Sequence, residues 1–533
     1  MVAMAQTRRD FVSGATTLAA GLASRQARAS EATISFGLAA RSNRTMDPAH
    51  TTQGADNWVI TQLFDTLVRP EDGTFALTPQ EYRPALAESW SVTPDSREWR
   101  FRLRPGVKFH KGYGEVTAED VKFTFDRSRD PVAGASERVL YENIADVIVD
   151  DPLSVRFRLK RPDPLFCGTA IHTPGGCILS RRAVTERGDK FGTDPIGTGP
   201  YQFDVLDQAR GIVLSANPEY FLGPPATPNL QMQYILDTTA RTLALLSGKV
   251  DMIEGVRAPG WIQSMQQRNG RLAFDGTVPG SSNHVAFNLT RKPFDDIRVR
   301  RAFLHAIDRD AIVKALAPMG GRMWGVNPPQ YRGSVSDQDL PPELQYRYDP
   351  ARAKALLAEA GHPNGFAFQT FSSLREDYSS IMLMLQEQLR KVGIAMDLKL
   401  LDHTTMQNDS RRDLAIVALR SSSYPPIPLK AFLEQLSAGA EVKGDGNGGS
   451  NYSHYGVAIP GIDDQLEAAQ NEADFDRLIA RVQEMERRVL TDLPLFSVGS
   501  LSYVIARNPR VDLGYKVRSG YAYWTLRRAK IIS

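Results

Sequence analysis

Residues 97–109, REWRFRLRPGVKF, set apolar side chains (Trp99, Phe101, Leu103) against basic ones (Arg100, Arg102, Arg104) in strict alternation. Successive side chains of a strand point to opposite faces, so a period of two specifies a strand with one buried face, ended here by Pro105-Gly106. The arginines are then the solvated face of a sheet and not a stripe for nucleic acid. Ser154–Leu159 repeats the pattern, and Thr33-Ile34-Ser35-Phe36-Gly37 reads as a further strand.

Helical spacing appears between these strands. Val59, Ile60, Leu63, Phe64 and Leu67 form an apolar stripe that predicts a helix over 57–67. Thr117-Ala118-Glu119-Asp120 has the character of a capping box and opens a helix to about Arg127. Asp349-Pro350 pairs a good N-cap with a proline at the first helical position, and Gly361 ends that helix after Leu356, Leu357 and Ala360. Further helices are expected near 299–317, 379–392 and 474–490. A chain of 533 residues that mixes both periods exceeds one core, so two or three domains are expected. No repeat of fixed period occurs.

The sequence pI of about 8.7 suggests a polyanionic partner, but the charge is misplaced for one. Residues 1–29 carry Arg8, Arg9, Arg25 and Arg28 against Asp10, which accounts for the whole chain's net +3. A product beginning at Ser30 is near neutral and has no basic block, so no nucleic acid is expected as a partner. Thr7-Arg8-Arg9-Asp10-Phe11-Val12, the weakly apolar stretch to Leu22 and Ala27-Arg28-Ala29 resemble a twin-arginine export signal with its cleavage site. The apolar run is far shorter than the roughly 20 residues of a spanning helix.

Chemistry-bearing motifs are missing. There is no HExxH and no GxSxG. Gly197-Thr198-Gly199 is followed by Pro200 and lacks a third glycine, which rejects a dinucleotide site. The eight histidines are scattered, and no carboxylate pair stands out for acid–base work. No catalytic residue, metal ligand or cofactor is expected. Cys167 and Cys177, the only cysteines, either bridge in an oxidising compartment or remain inert thiols. The glycine-rich stretch 443–450, KGDGNGGS, is either a surface loop or a flexible segment beside a cleft.

At residues 82–126 the run YRPALAESW…FRLRPGVKFHKG…TAEDV closely resembles the signature of the family 5 extracellular solute-binding proteins, the oligopeptide, dipeptide and nickel-binding class of ABC importers. Later blocks agree in order: Pro195–Tyr201 (PIGTGPY), Ser247–Asp251, Phe287-Asn288 through Ile307-Asp308-Arg309, and YDPARAKALLAEAG at 348–361. The resemblance implies an α/β, two-lobed periplasmic binding protein fold with a hinge and an extra α/β domain inserted in the first lobe. Expected bounds are 1–29 for the signal peptide, 30–58 and 195–283 for lobe I, 59–194 for the inserted domain, 284–499 for the other lobe and 500–533 for the return to lobe I. It also implies a periplasmic monomer that holds a small polar ligand, a peptide or peptide-like compound, in its cleft and delivers it to ABC permease subunits. The signature residues Trp90, Trp99, Phe109, His110 and Gly112 are expected to be scaffold.

Peptide binders of the family carry an aspartate, in a loop resembling W-x-x-D-Y-P-D-P, that pairs with the peptide's ammonium group. Here the stretch is Arg420-Ser421-Ser422-Ser423-Tyr424-Pro425-Pro426, with Ser423 in the aspartate's place. A buried ammonium without a carboxylate costs several kcal/mol, and Arg420 instead suits a carboxylate or phosphate on the ligand. Comparable family positions add Arg41, Asn43, Asn283, His284, Trp324, Tyr331 and Asn451 as candidate ligand contacts. The resemblance leaves modified peptides, opine-like solutes, sugars and metal chelates as cargo classes. An exported hydrolase, the competing class, needs a nucleophile–base pair or metal cluster that the sequence does not display.

Overall fold

The computed structural model of the protein describes residues 33–532, apart from 77, 208–210, 277–280, 424–425, 447 and 519–522. The export-signal segment and Tyr424 therefore lie outside the described residues. Among those described, no helix is long and apolar enough to cross a membrane.

Three sheets organise the chain. A seven-stranded sheet runs in the order 273–275, 505–507, 252–254, 33–38, 229–234, 211–216, 201–207. Its centre, Thr33–Leu38, is parallel to both neighbours and fully buried beyond Thr33. The segment between this strand and residue 201 builds a separate antiparallel sheet, Ala87–Val92, Glu98–Leu103, Ser154–Leu159 and Ile144–Asp151. A second antiparallel four-stranded sheet has the order 320–321, 495–501, 281–287, 417–423. Beside it, Phe366–Ser373 and Ile394–Leu401 pair in parallel, joined by the helix Glu376–Arg390.

Two large apolar cores result. One packs residues from 34 to 252 together with 505–529, so the first two sheets share it. The other packs residues of 262 and 285–504. The strand ending at Asp275 and the strand beginning at Ser281 belong to different lobes, as do those ending at Leu501 and beginning at Ile505. This is the two-lobed α/β architecture that the family resemblance implies.

The alternating strand is Glu98–Leu103, with Trp99, Phe101 and Leu103 buried and Arg100 and Arg102 exposed. Its solvated arginines are engaged with acids: Arg100 with Glu98 (2.6 Å) and Arg102 with Asp151 (3.2 Å). The Thr117–Asp120 capping box is present and opens Ala118–Arg129. Asp349 caps Pro350–Glu359 by accepting from Arg352 N, and Gly361 follows at φ +89°.

Two expectations differ. The helix expected at 57–67 is Gly54–Leu63, with Phe64 already extended. An apolar stripe cannot show this end, because buried extended residues continue the same composition to Leu67. The helix expected at 299–317 is two, Ile297–Ala306 and Arg309–Ala315. Asp308 breaks it, its side chain capping the second helix at Ala311 N while its own N–H donates to Gln388 Oε1 (2.6 Å).

The family motifs converge on the end of the Gly54–Leu63 helix. Gly199 N–H donates to the Leu63 carbonyl (2.9 Å). A Cβ on Gly197 or Gly199 would fall well inside van der Waals contact of the helix's last carbonyls. His110, buried, accepts from Gly197 N–H at Nδ1 (3.4 Å) and donates from Nε2 to the Gly199 carbonyl (2.9 Å). Trp99 and Phe109 are buried and Trp90 half-buried against the core, so the signature is scaffold. Cys167 and Cys177 are both buried, unbonded thiols.

Gly197→Ala is expected to lower stability by about 3 kcal/mol, since neither the Leu63 carbonyl nor the motif backbone can give way. A urea titration with an unchanged midpoint would contradict this. Burial pushes the His110 imidazole down to about 4, whereas an unfolded histidine titrates near 6.5. Between those values the unfolded chain takes up a proton that the folded chain refuses, so stability falls as pH drops from about 6.5 toward 4. In His110→Gln the drop in melting temperature between pH 7 and pH 5 is expected to be smaller than in the wild type.

Candidate functional site

The faces between the two cores are polar where the cores are apolar. Arg257, on the first lobe, bonds Asp377 of the second (2.8 Å) and Ser281 Oγ at the crossing (3.0 Å). Asp377 also receives Arg375 (2.9 Å). Burial alone would raise the Asp377 carboxyl, but the two guanidinium groups outweigh it and hold it below its ordinary value. The Arg257 guanidinium lies over the ring of Tyr503, which belongs to the other crossing. Tyr503 in turn donates to Glu254 (3.0 Å), which also accepts from Trp58 Nε1 (3.1 Å).

Three further pairs hold the lobes together: Ser96 Oγ to Ala473 O (3.1 Å), Arg161 to Gln470 (3.0 Å), and Lys430 near Glu137 (3.9 Å). Phe75 and Tyr331 meet edge to face at 5.6 Å across the same gap. Two lobes joined by two strands of backbone and held by such contacts form a hinge that is closed in this structure.

Beneath that gap lies a cavity of about 190 Å³. The helix Gly54–Leu63 contributes Asn57, Ile60 and Thr61, and Phe64 follows. Phe75, Tyr82, Leu222 and Trp524 add further apolar wall, and Pro426 reaches it from the second lobe. The helix takes its position from the His110–Gly197–Gly199 knot at its C-terminus. Asp65, on the wall, accepts from Tyr220 (2.7 Å) and Thr198 (2.9 Å). Burial nevertheless pushes its carboxyl up to about 6. Asp72 is held by Arg69 (2.9 Å) and Arg527 (3.4 Å).

None of the candidates drawn from the sequence, within the described residues, lines this cavity. Arg41 is exposed after the first strand. Asn43 pins its loop to the first helix by donating to Asp56 (2.9 Å). Asn283 and His284 are buried within the strand Ser281–Phe287. His284 sits between Gln435 and the Val326 carbonyl, and burial pushes it down to about 4, so it is neutral. Trp324 is clasped by Arg322 and Arg309, 4.4 and 5.5 Å from the ring centre, and packs on Val335 and Leu340. Asn451 is buried and spends its amide on the Ser437 and Tyr455 carbonyls, with Oδ1 accepting from Ser453.

Tyr331 and Pro426 do come to the gap, and Arg420 to Ser423 form the end of the strand Val417–Ser423. Arg420 pairs with Glu434 (3.0 Å) and donates to Ser422 (2.8 Å). The guanidinium read from sequence as a partner for an acidic ligand is thus engaged by a protein carboxylate. Ser421 exchanges backbone hydrogen bonds with Tyr378 OH. Ser422 pairs with Ser282 across the sheet, and the strand ends at Ser423, whose side chain lies outside the described residues. The residues missed from the sequence are Arg257, Asp377, Tyr503, Phe75 and the aromatic pair Tyr523-Trp524. Arg257 and Asp377 are 120 positions apart, and no local pattern links them.

Comparison with known proteins places this geometry. The family model described as "Bacterial extracellular solute-binding proteins, family 5 Middle" matches residues 81–443, more than half of the chain. The glutathione-binding protein GsiB of Shigella boydii is 31% identical over 334 residues, 62% of this chain and 63% of that protein. The match therefore spans less than two thirds of the length of this curated relative. Among solved structures, MoaA from A. tumefaciens R10 in complex with mannopinic acid is 29% identical with a TM-score of 0.80, covering 94% of this chain and all of that one. DppA from Helicobacter pylori in complex with the peptide STSA superposes with a TM-score of 0.76 at 23% identity, covering 94% and 98% of the two chains, and shows the shared fold. The chain belongs to the family 5 bacterial extracellular solute-binding proteins.

Proposed function

We propose that the protein is the periplasmic substrate-binding component of an ABC importer, capturing a peptide, modified peptide or opine-like solute between its lobes. The observation that carries this reading is the hinged gap itself: two separate cores, two backbone crossings and a roofed cavity where the lobes meet. Cargo shifts the open–closed balance by as much as it prefers the closed state. Closure replaces its hydration with fixed polar contacts and apolar wall, and no bond is made or broken. The closed outline then presents both lobes to permease subunits. The protein acts as a monomer, with no resident cofactor. Arg8-Arg9 and the small-residue site at 27–29 support export by the twin-arginine route.

The opine branch of this reading is favoured by the likeness to the mannopinic acid complex. The peptide branch is favoured by the likeness to the glutathione-binding protein. A thermal-shift screen of the purified protein against peptides, opines, sugars and metal chelates tests the function. A compound present at 100 times its dissociation constant stabilises by about 2.7 kcal/mol. A shift from any class supports capture, whereas turnover of a bound compound, or silence from every class, contradicts it. Asp377→Asn removes the negative charge between Arg257 and Arg375 and is expected to weaken cargo binding about tenfold with little change in the melting temperature of the unliganded protein. Unchanged affinity in titration calorimetry would show that the Arg257–Asp377 bridge does not contribute to closure.

A further inference from the structure

The cavity under the closed gap has walls that select cargo. Its apolar surface comes from Ile60, Phe64, Phe75, Tyr82, Leu222 and Trp524. Apart from the exposed Glu71, the charged groups on its walls are engaged with one another or with nearby side chains. Arg69 and Arg527 both serve Asp72. Asp65 is satisfied by Tyr220 and Thr198. Glu137 faces Lys430. His172 bonds Thr66 (3.0 Å), and burial pushes it down to about 4, which leaves it neutral. An anionic group entering here meets four acidic side chains, Asp65, Glu71, Asp72 and Glu137, and two arginines already committed. Burying a charge without a partner is costly.

Size sets a second limit. An apolar cavity of about 150 Å³ accepts benzene. At about 190 Å³, this one holds a single substituted six-membered ring.

We infer that the cargo is a peptide-like solute bearing one uncharged, ring-sized apolar group, an aromatic side chain, which this cavity receives. Acidic and polyhydroxylated cargo is disfavoured at the same place. The inference rests on the solute-binding reading above and narrows it: of the two branches it selects the peptide-like one. Burial of one aromatic side chain corresponds to roughly a tenfold to hundredfold gain in affinity.

The test is titration calorimetry of the full protein with Phe-Gly-Gly, Gly-Phe-Gly and Gly-Gly-Phe, their glutamate counterparts, Gly-Gly-Gly and mannopinic acid. At least one phenylalanine peptide is expected to bind about tenfold or more tightly than Gly-Gly-Gly and its glutamate counterpart. In Thr61→Trp, where added bulk on the helix enters the cavity, that preference is expected to vanish. Should that variant fail to fold, Leu222→Ala serves instead: the enlarged cavity is expected to raise the affinity of Gly-Trp-Gly relative to Gly-Phe-Gly. Equal or tighter binding of the glutamate peptides, Gly-Gly-Gly or mannopinic acid overturns the inference while leaving solute capture intact. A phenylalanine preference that survives Thr61→Trp also overturns it, as does silence across this panel when the wider screen finds cargo. Silence in both overturns capture itself.

Discussion

Two hydrophobic cores that each close on themselves, joined by only two stretches of backbone, set what this molecule can do. In one, Trp99, Phe125, Phe157 and Phe166 interlock. In the other, Phe287, Phe294, Phe303 and Phe496 do so. Beside the Phe75–Tyr331 contact, the pairs between them are ionic and hydrogen-bonded: Arg257 with Asp377, Arg161 with Gln470, Ser96 with the Ala473 carbonyl. Polar contacts of this kind exchange with water at little net free energy. The interface is therefore the part of the structure that can open while both lobes stay folded.

The family signature serves this arrangement indirectly. His110, Gly197 and Gly199 do not line the cavity beneath the gap. They fix the carbonyl end of the Gly54–Leu63 helix, and that helix presents Asn57, Ile60 and Thr61 to the cavity beneath the gap. A buried imidazole accepting one backbone N–H while donating to a carbonyl leaves no freedom in the register of the two motifs. The glycines admit no Cβ because the helix end occupies that space. Positioning of the wall is thus delegated to residues outside the cavity.

Much of the scaffold was legible in the sequence. The Glu98–Leu103 strand announces itself through arginines alternating with aromatics, the helix at Pro350 through Asp349, and the helix at Ala118 through Thr117 and Asp120. Each of these signals is local and acts through backbone hydrogen bonds or a two-sided burial pattern. Less was legible where two states share a composition: Phe64 to Leu67 are apolar whether helical or extended, and only the glycines of 197–199 decide. The site was the least legible. Trp324, His284 and Asn451 have the look of ligand contacts, yet each is occupied by its own fold. Arg257 and Asp377 look like ordinary surface charges until the topology brings them together across the gap.

Opening of the gap on a fixed hinge is the claim on which everything else turns. Spin labels at Val132→Cys and Leu383→Cys, exposed sites on opposite lobes, report it directly, since both native thiols are buried. Double electron–electron resonance on the doubly labelled protein should show a broad or longer separation without cargo, collapsing to one shorter distance when a compound found by thermal shift is added. A single distance unchanged by that compound would mean that the lobes form a rigid body, and capture by closure would be wrong.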